Sequence, residues 1–167
     1  MAMLEPMLEE FRNEAAVTRR VLERVPTDKL SWKPHPKSMS LGQLAQHIAT
    51  VPGGIAKIVQ QDSFEISPDA FTFPEPKHTR EILEAFEQSV RDAEEYLKGV
   101  TDQSARGQWR LTRGDKVLLD MPRAAVLRTI MLSHWYHHRG QLSVYLRMLD
   151  VPLPSIYGPS ADESPFA

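Results

Sequence analysis

The sequence predicts an all-α fold of four helices, with a small hairpin or ordered loop before the last of them. Four stretches place apolar residues at three- and four-residue steps and keep their charges on other faces. A capping box opens the second stretch, and a proline stands at the start of the fourth. The connectors between them carry prolines that forbid a continuous helix.

From about Leu4 to Val25, the residues Leu8, Phe11, Ala15, Thr18, Leu22 and Val25 form one stripe, and Pro26 is placed to end the helix. The polar connector that follows holds Pro34 and Pro36. Leu30 and Trp32 anchor it, and His35, between the two prolines, is a surface residue. Ser40-Leu41-Gly42-Gln43 matches the capping box, which sets Leu44, His47, Ile48 and Val51 on the inward face of the second helix. Pro52-Gly53-Gly54 should kink or break that helix before Ile55, Ile58 and Val59 resume the pattern. The extended connection from Gln61 to His78 contains Phe64, Phe71 and Phe73, expected to cover one end of the helices. His78 is solvated and Thr79 is a candidate N-cap.

The third helix runs from Arg80 to about Lys98 with Ile82, Phe86, Val90, Ala93 and Leu97 inward, and Gly99 stops it. Trp109 to Leu119 reads as a hairpin or ordered loop with Gly114 at its tip, so Arg113-Gly114-Asp115 is a turn and not an adhesion motif. Pro122 lies just inside the fourth helix, which reaches about Leu149. The proline-rich tail after Asp150 packs back through Ile156 and Tyr157.

A chain of 167 residues suits one domain, residues 1–167, with a sizeable core. A net charge of −2 argues against a nucleic-acid partner. No apolar run approaches membrane-spanning length, and Met1-Ala2-Met3-Leu4-Glu5-Pro6 lacks the form of a signal peptide, so a cytoplasmic protein with no membrane partner is expected. The absence of cysteine excludes disulfides, thiolate ligands and a cysteine nucleophile, leaving His, Asp and Glu for any metal.

The histidines concentrate the functional signal. With His134 at zero and about 100° per residue, Leu127 and Tyr145 fall near +20°, His138 near +40°, and Met131 and Leu149 near +60°. Gln141 falls at about −20°, Ile130 and Met148 at about −40°, and His137 at about −60°, on the edge of the face. Arg128, Arg139, Arg147 and Ser143 lie far round the other side. His134 and His138 are therefore set in the middle of the buried face, where imidazoles at i and i+4 can converge on a metal. The same pair also suits two core histidines hydrogen-bonded to backbone or to each other. His47 adds a third inward imidazole on a separate element, as a three-point metal site requires.

Three segments carry a resemblance to a known family: Leu41-Gly42-Gln43-Leu44-Ala45-Gln46-His47-Ile48, the string from His134 to Gln141, and Val151 to Glu163. In this order they resemble the DinB family, the DinB/YfiT-like group of small bacterial metalloproteins, which is distinct from the DNA polymerase of similar name. The resemblance implies an up-down-down-up four-helix bundle holding a divalent metal, nickel or zinc, through three histidines that map onto His47, His134 and His138. It places His137 where an outer-shell residue can stand, and it implies a homodimer. Relatives in the wider superfamily include thiol-dependent transferases and a thiol-dependent isomerase.

Three imidazoles leave coordination positions for water or a substrate, the arrangement of a catalytic metal site. With no cysteine in the chain, any thiol must arrive with the small-molecule substrate. Gln141, one turn beyond His138, is a candidate to orient a ligand or to be a bonded core amide. Tyr157 is a candidate outer-shell residue, Asp162 and Glu163 are weaker candidates for a general base, and Arg139 is assigned to surface or dimer contacts. Three functions fit: a metal-dependent transferase acting on a low-molecular-weight thiol, or a hydrolase; a non-catalytic metal-binding or stress-response protein; and a metal-free helical protein with hydrogen-bonded core histidines.

Overall fold

In the computed structural model, residues 3–67 and 74–166 are described. Helix α1 spans Glu5–Leu22 and buries Met7, Phe11, Ala15, Thr18, Val21 and Leu22. Pro34 and Pro36 keep the connector that follows from running on as an α-helix, its one helical turn being a 3-10 turn at Thr27–Lys29, and Leu30 and Trp32 anchor it as expected. Leu30 is buried, and the Trp32 ring meets Tyr145 edge-on at 5.6 Å. The carbonyls of Trp32 and Leu30 accept from the amides of Leu41 and Gly42, which lock the start of the next helix.

Helix α2, Leu41–Ile58, opens on the capping box. The Gln43 amide donates to Ser40 Oγ at 3.1 Å, and the Ser40 amide donates to Gln43 Oε1 at 3.0 Å. The helix continues through Pro52 where a kink or break was expected. Gly53 explains how. Its amide donates to Ser89 Oγ at 2.8 Å, and a Cβ at Gly53 would sit 2.8 Å from Ser89 Cα. The neighbouring helix comes close enough to take up the backbone group that a proline turn disturbs.

Helix α3, Thr79–Gly99, packs along α2 and buries Ile82, Phe86, Ser89, Ala93 and Leu97. Ser89 takes the central position expected for Val90, because only a small side chain fits against Gly53. Thr79 is the first residue of the helix and not its cap, and its hydroxyl donates to the Val25 carbonyl at 2.8 Å. Of the three connection phenylalanines, Phe64 packs against the core; Phe71 and Phe73 lie outside the described residues.

The expectation of an all-α four-helix bundle is corrected by a three-stranded mixed sheet. After the short helix α4, Asp102–Arg106, strands β2 (Gln108–Arg113) and β3 (Lys116–Pro122) form the anticipated hairpin, with Gly114 at φ +55° in its turn. Strand β1, Ser63–Glu65, then adds parallel to β2, with Phe64 opposite Leu111. Three residues are too few to show a period of two. Their pairing comes from distant backbone groups, such as the Ile66 amide on the Thr112 carbonyl at 2.8 Å.

Pro122 closes β3 and precedes the last rod, so it is not inside that helix. The rod is a turn of α-helix, α5 (Arg123–Val126), a π-helical stretch (Leu127–Ser133) and then α6 (His134–Met148), with α-region backbone at both junctions. Buried Arg123 donates to the Val59 carbonyl at 2.9 Å and the Gln61 carbonyl at 3.1 Å. A cation thereby closes the C-terminal end of α2. No helix among the described residues is long and apolar enough to cross a membrane.

Candidate metal centre

His47 on α2 and His134 and His138 on α6 each offer one ring nitrogen, and the three nitrogens lie within 4.8 Å of one another. His47 Nε2 is 3.3 Å from His134 Nε2, which is 2.6 Å from His138 Nε2. All three side chains are half-buried, so the cluster opens toward solvent on one side.

The π-helical stretch fixes His134. The His134 amide donates to the Met131 and Thr129 carbonyls, three and five residues back, and so leaves the Ile130 carbonyl between them to another donor. His134 Nδ1 lies 3.3 Å from that carbonyl and donates to it. His138 Nδ1 lies 2.7 Å from Gln141 Oε1, the only atom of that amide able to accept. With both Nδ1 protons engaged, the Nε2 lone pairs of His134 and His138 face each other. This is the outer contact that sets tautomer and ring orientation in histidine metal sites.

Electrostatics act in the same direction. Burial first, then the neighbouring His138 and His134, lowers His47 to about 4. Burial also lowers His134 and His138. Protons are disfavoured where the lone pairs converge, and a divalent cation fits there: the donors are neutral, borderline-soft nitrogens, three in number, on two elements.

The wheel placed these histidines at the centre of the buried face; they stand at its edge. The buried residues of α6 are Trp135, Arg139, Leu142 and Leu146, while Gln141 and His137 are exposed and Met148 is 56% exposed. The π stretch supplies the reason. Seven residues at about 82° rather than about 100° move Leu127 by roughly 125°, onto the side of Trp135 and Leu146.

Arg139, assigned to surface or dimer contacts, is 2% exposed. It pairs with Glu14 at 2.5 Å, donates to Thr18 Oγ1 at 3.0 Å and to the Tyr157 hydroxyl at 2.6 Å, and lies against the rings of Tyr136 and Tyr157. Tyr157 is thus joined to Arg139 and Glu14. Asp162 and Glu163 pair with Arg147 and Arg20 and clip the tail across α6 and α1. His137 stands beside the site, its ring 5.1 Å from that of His138.

Sequence reasoning passed over Trp135, whose ring stacks on Phe11 and whose Nε1 donates to the Ile48 carbonyl at 2.9 Å. The signal was available: a proline at position 52 leaves the carbonyl at position 48 without its helical donor.

A helical body with a three-stranded sheet carries a half-buried cluster of three histidines from two helices, a group that could hold a metal ion. The DinB family model matches residues 1–165, and the chain belongs to the DinB family. YrdA of Bacillus subtilis strain 168, described as uncharacterized, is 25% identical over 161 residues, covering 96% of this chain and 91% of YrdA. The crystal structure of a DinB-like protein from Bacillus cereus ATCC 10987 superposes with a TM-score of 0.73 at 24% identity, covering 92% of this chain and 97% of the other. The DinB-like protein YjoA of Bacillus subtilis gives 0.67 at 21% identity, covering 89% and 96%.

Proposed function

We propose that this chain binds a divalent metal, nickel or zinc, through His47, His134 and His138. We further propose that it is a metal-dependent enzyme, a transferase acting on a low-molecular-weight thiol or else a hydrolase. One observation carries the reading: two Nε2 atoms face each other at 2.6 Å while both Nδ1 atoms are bonded elsewhere. Lone pairs so arranged repel unless a cation lies among them, and burial disfavours the proton. A divalent ion held there supplies Lewis acidity sufficient to acidify water or a thiol near neutral pH. Gln141 and the Ile130 carbonyl hold the two rings of α6 in place, and exposed His137 stands beside them as an outer-shell residue, its ring 5.1 Å from that of His138. A homodimer joins this reading from the family resemblance, supported by the exposed Val144 and Met148 on α6.

A non-catalytic metal-binding role is favoured by a different observation. The tail carboxylates Asp162 and Glu163 are taken up by arginines, and the metal-competent group contains histidines only. Cobalt substitution separates the two. Titration with cysteine-type thiols should change the visible spectrum of an enzyme that takes a thiol into its open positions. A spectrum indifferent to every thiol rules out the thiol transferase and favours the non-catalytic role.

A further inference from the structure

We infer that Trp135 is a positioning residue, which sets the spacing between the two halves of the histidine site by bonding across from α6 to α2. Pro52 has no amide hydrogen, so the Ile48 carbonyl lacks its donor within α2. The indole of Trp135, fully buried, donates to that carbonyl at 2.9 Å. Both ends of this bond are sequence neighbours of histidines: Ile48 follows His47, and Trp135 follows His134. A tether one residue from each ligand fixes the approach of the two helices where the rings of His47 and His134 stand 5.1 Å apart.

The surroundings keep the indole from turning. Its ring stacks on Phe11 with centroids 5.6 Å apart and meets Phe86 at 6.3 Å. On the α2 side, Gly53 bonds Ser89 Oγ at 2.8 Å, so the turn containing Pro52 is held by α3 as well. A proline inside a helix ordinarily leaves a carbonyl for water or a kink to satisfy. Here it leaves a carbonyl for the neighbouring rod, and the bond that results is specific to one register of α6 against α2.

The inference rests on the metal reading for its consequence but not for its geometry. Trp135→Phe removes the donor and keeps an aromatic ring against Phe11. Adding Pro52→Ala gives the Ile48 carbonyl a backbone donor, which satisfies it without restoring the tether. Zinc affinity by chelator competition, melting temperature, and the nuclear Overhauser contact between the His47 and His134 rings in metal-free protein are measured for each. Trp135→Phe should weaken zinc binding by about tenfold or more, the usual effect of losing a contact that holds a ligand in place. It should also dim the ring contact. The double variant should regain melting temperature and recover neither affinity nor ring contact. A double variant in which affinity returns with stability would overturn the positioning role. If Trp135→Phe alone does not fold, the double variant carries the same test. Should wild-type protein bind no zinc, the metal reading fails, while the ring contact still decides whether Trp135 holds the two histidines together.

Discussion

Gln141→Leu tests how the site is held. Gln141 is exposed, so losing its amide leaves the core intact, and its Oε1 is 2.7 Å from His138 Nδ1. Without that acceptor the His138 ring can rotate and present either nitrogen. Loss of an outer hydrogen bond to a ligating histidine typically costs 10–100-fold in metal affinity, about 1.4 to 2.7 kcal/mol. Zinc affinity should fall by about that factor with unchanged melting temperature of the metal-free protein. Gln141→Glu, an ionised acceptor, should bind zinc at least as tightly as wild type by making the imidazole a stronger donor. Chelator competition at fixed pH measures both. Wild-type affinity in Gln141→Leu, or weaker binding in Gln141→Glu, would refute the orientation assigned to His138.

His138→Ala should lose stoichiometric metal while His137→Ala keeps it, since only His138 contributes to the three-nitrogen group; elemental analysis of both variants decides. Arg139→Met should cost about 3 kcal/mol in urea unfolding, the low end for a broken buried pair, because it leaves the largely buried Glu14 carboxylate with the Tyr157 hydroxyl but without its cation. A loss under about 1 kcal/mol would be the behaviour of an exposed arginine. For pH, His47 is lowered to about 4 against about 6.5 in the unfolded chain. The unfolded chain therefore takes up a proton first as pH falls, and metal-free protein keeps this contribution above about 6.5 and loses it progressively toward 4. Melting temperatures of chelator-treated protein across that window should fall less steeply for His47→Leu than for wild type; equal slopes would contradict the assignment.

Local chemistry made much of the site legible. Ser40 and Gln43 announced α2, and its phase put His47 among Leu44, Ile48 and Val51. The spacing of His134 and His138 then supplied the other two nitrogens of one cluster. What failed was the reading of the last rod's phase, and a single cause accounts for it. A π stretch leaves no mark in apolar spacing, yet it rotates everything before it relative to everything after. Arg139 was therefore turned outward on the wheel, and its buried pairing with Glu14, which lies 125 residues earlier, depends on a contact that no local pattern records. Strand β1 escaped for a similar reason, since Ser63–Glu65 becomes a strand only when β2 arrives beside it. Pro52 was read as a kink or break because helix rules consider one helix at a time; Trp135 and Ser89 come from other elements.

The most direct measurement of the central claim is the anomalous scattering of zinc-loaded crystals at the metal edge. One peak per chain is expected among the ring nitrogens of His47, His134 and His138, and none there in His47→Ala. A peak held by other residues, or no peak in wild-type crystals grown with excess zinc, would contradict the account.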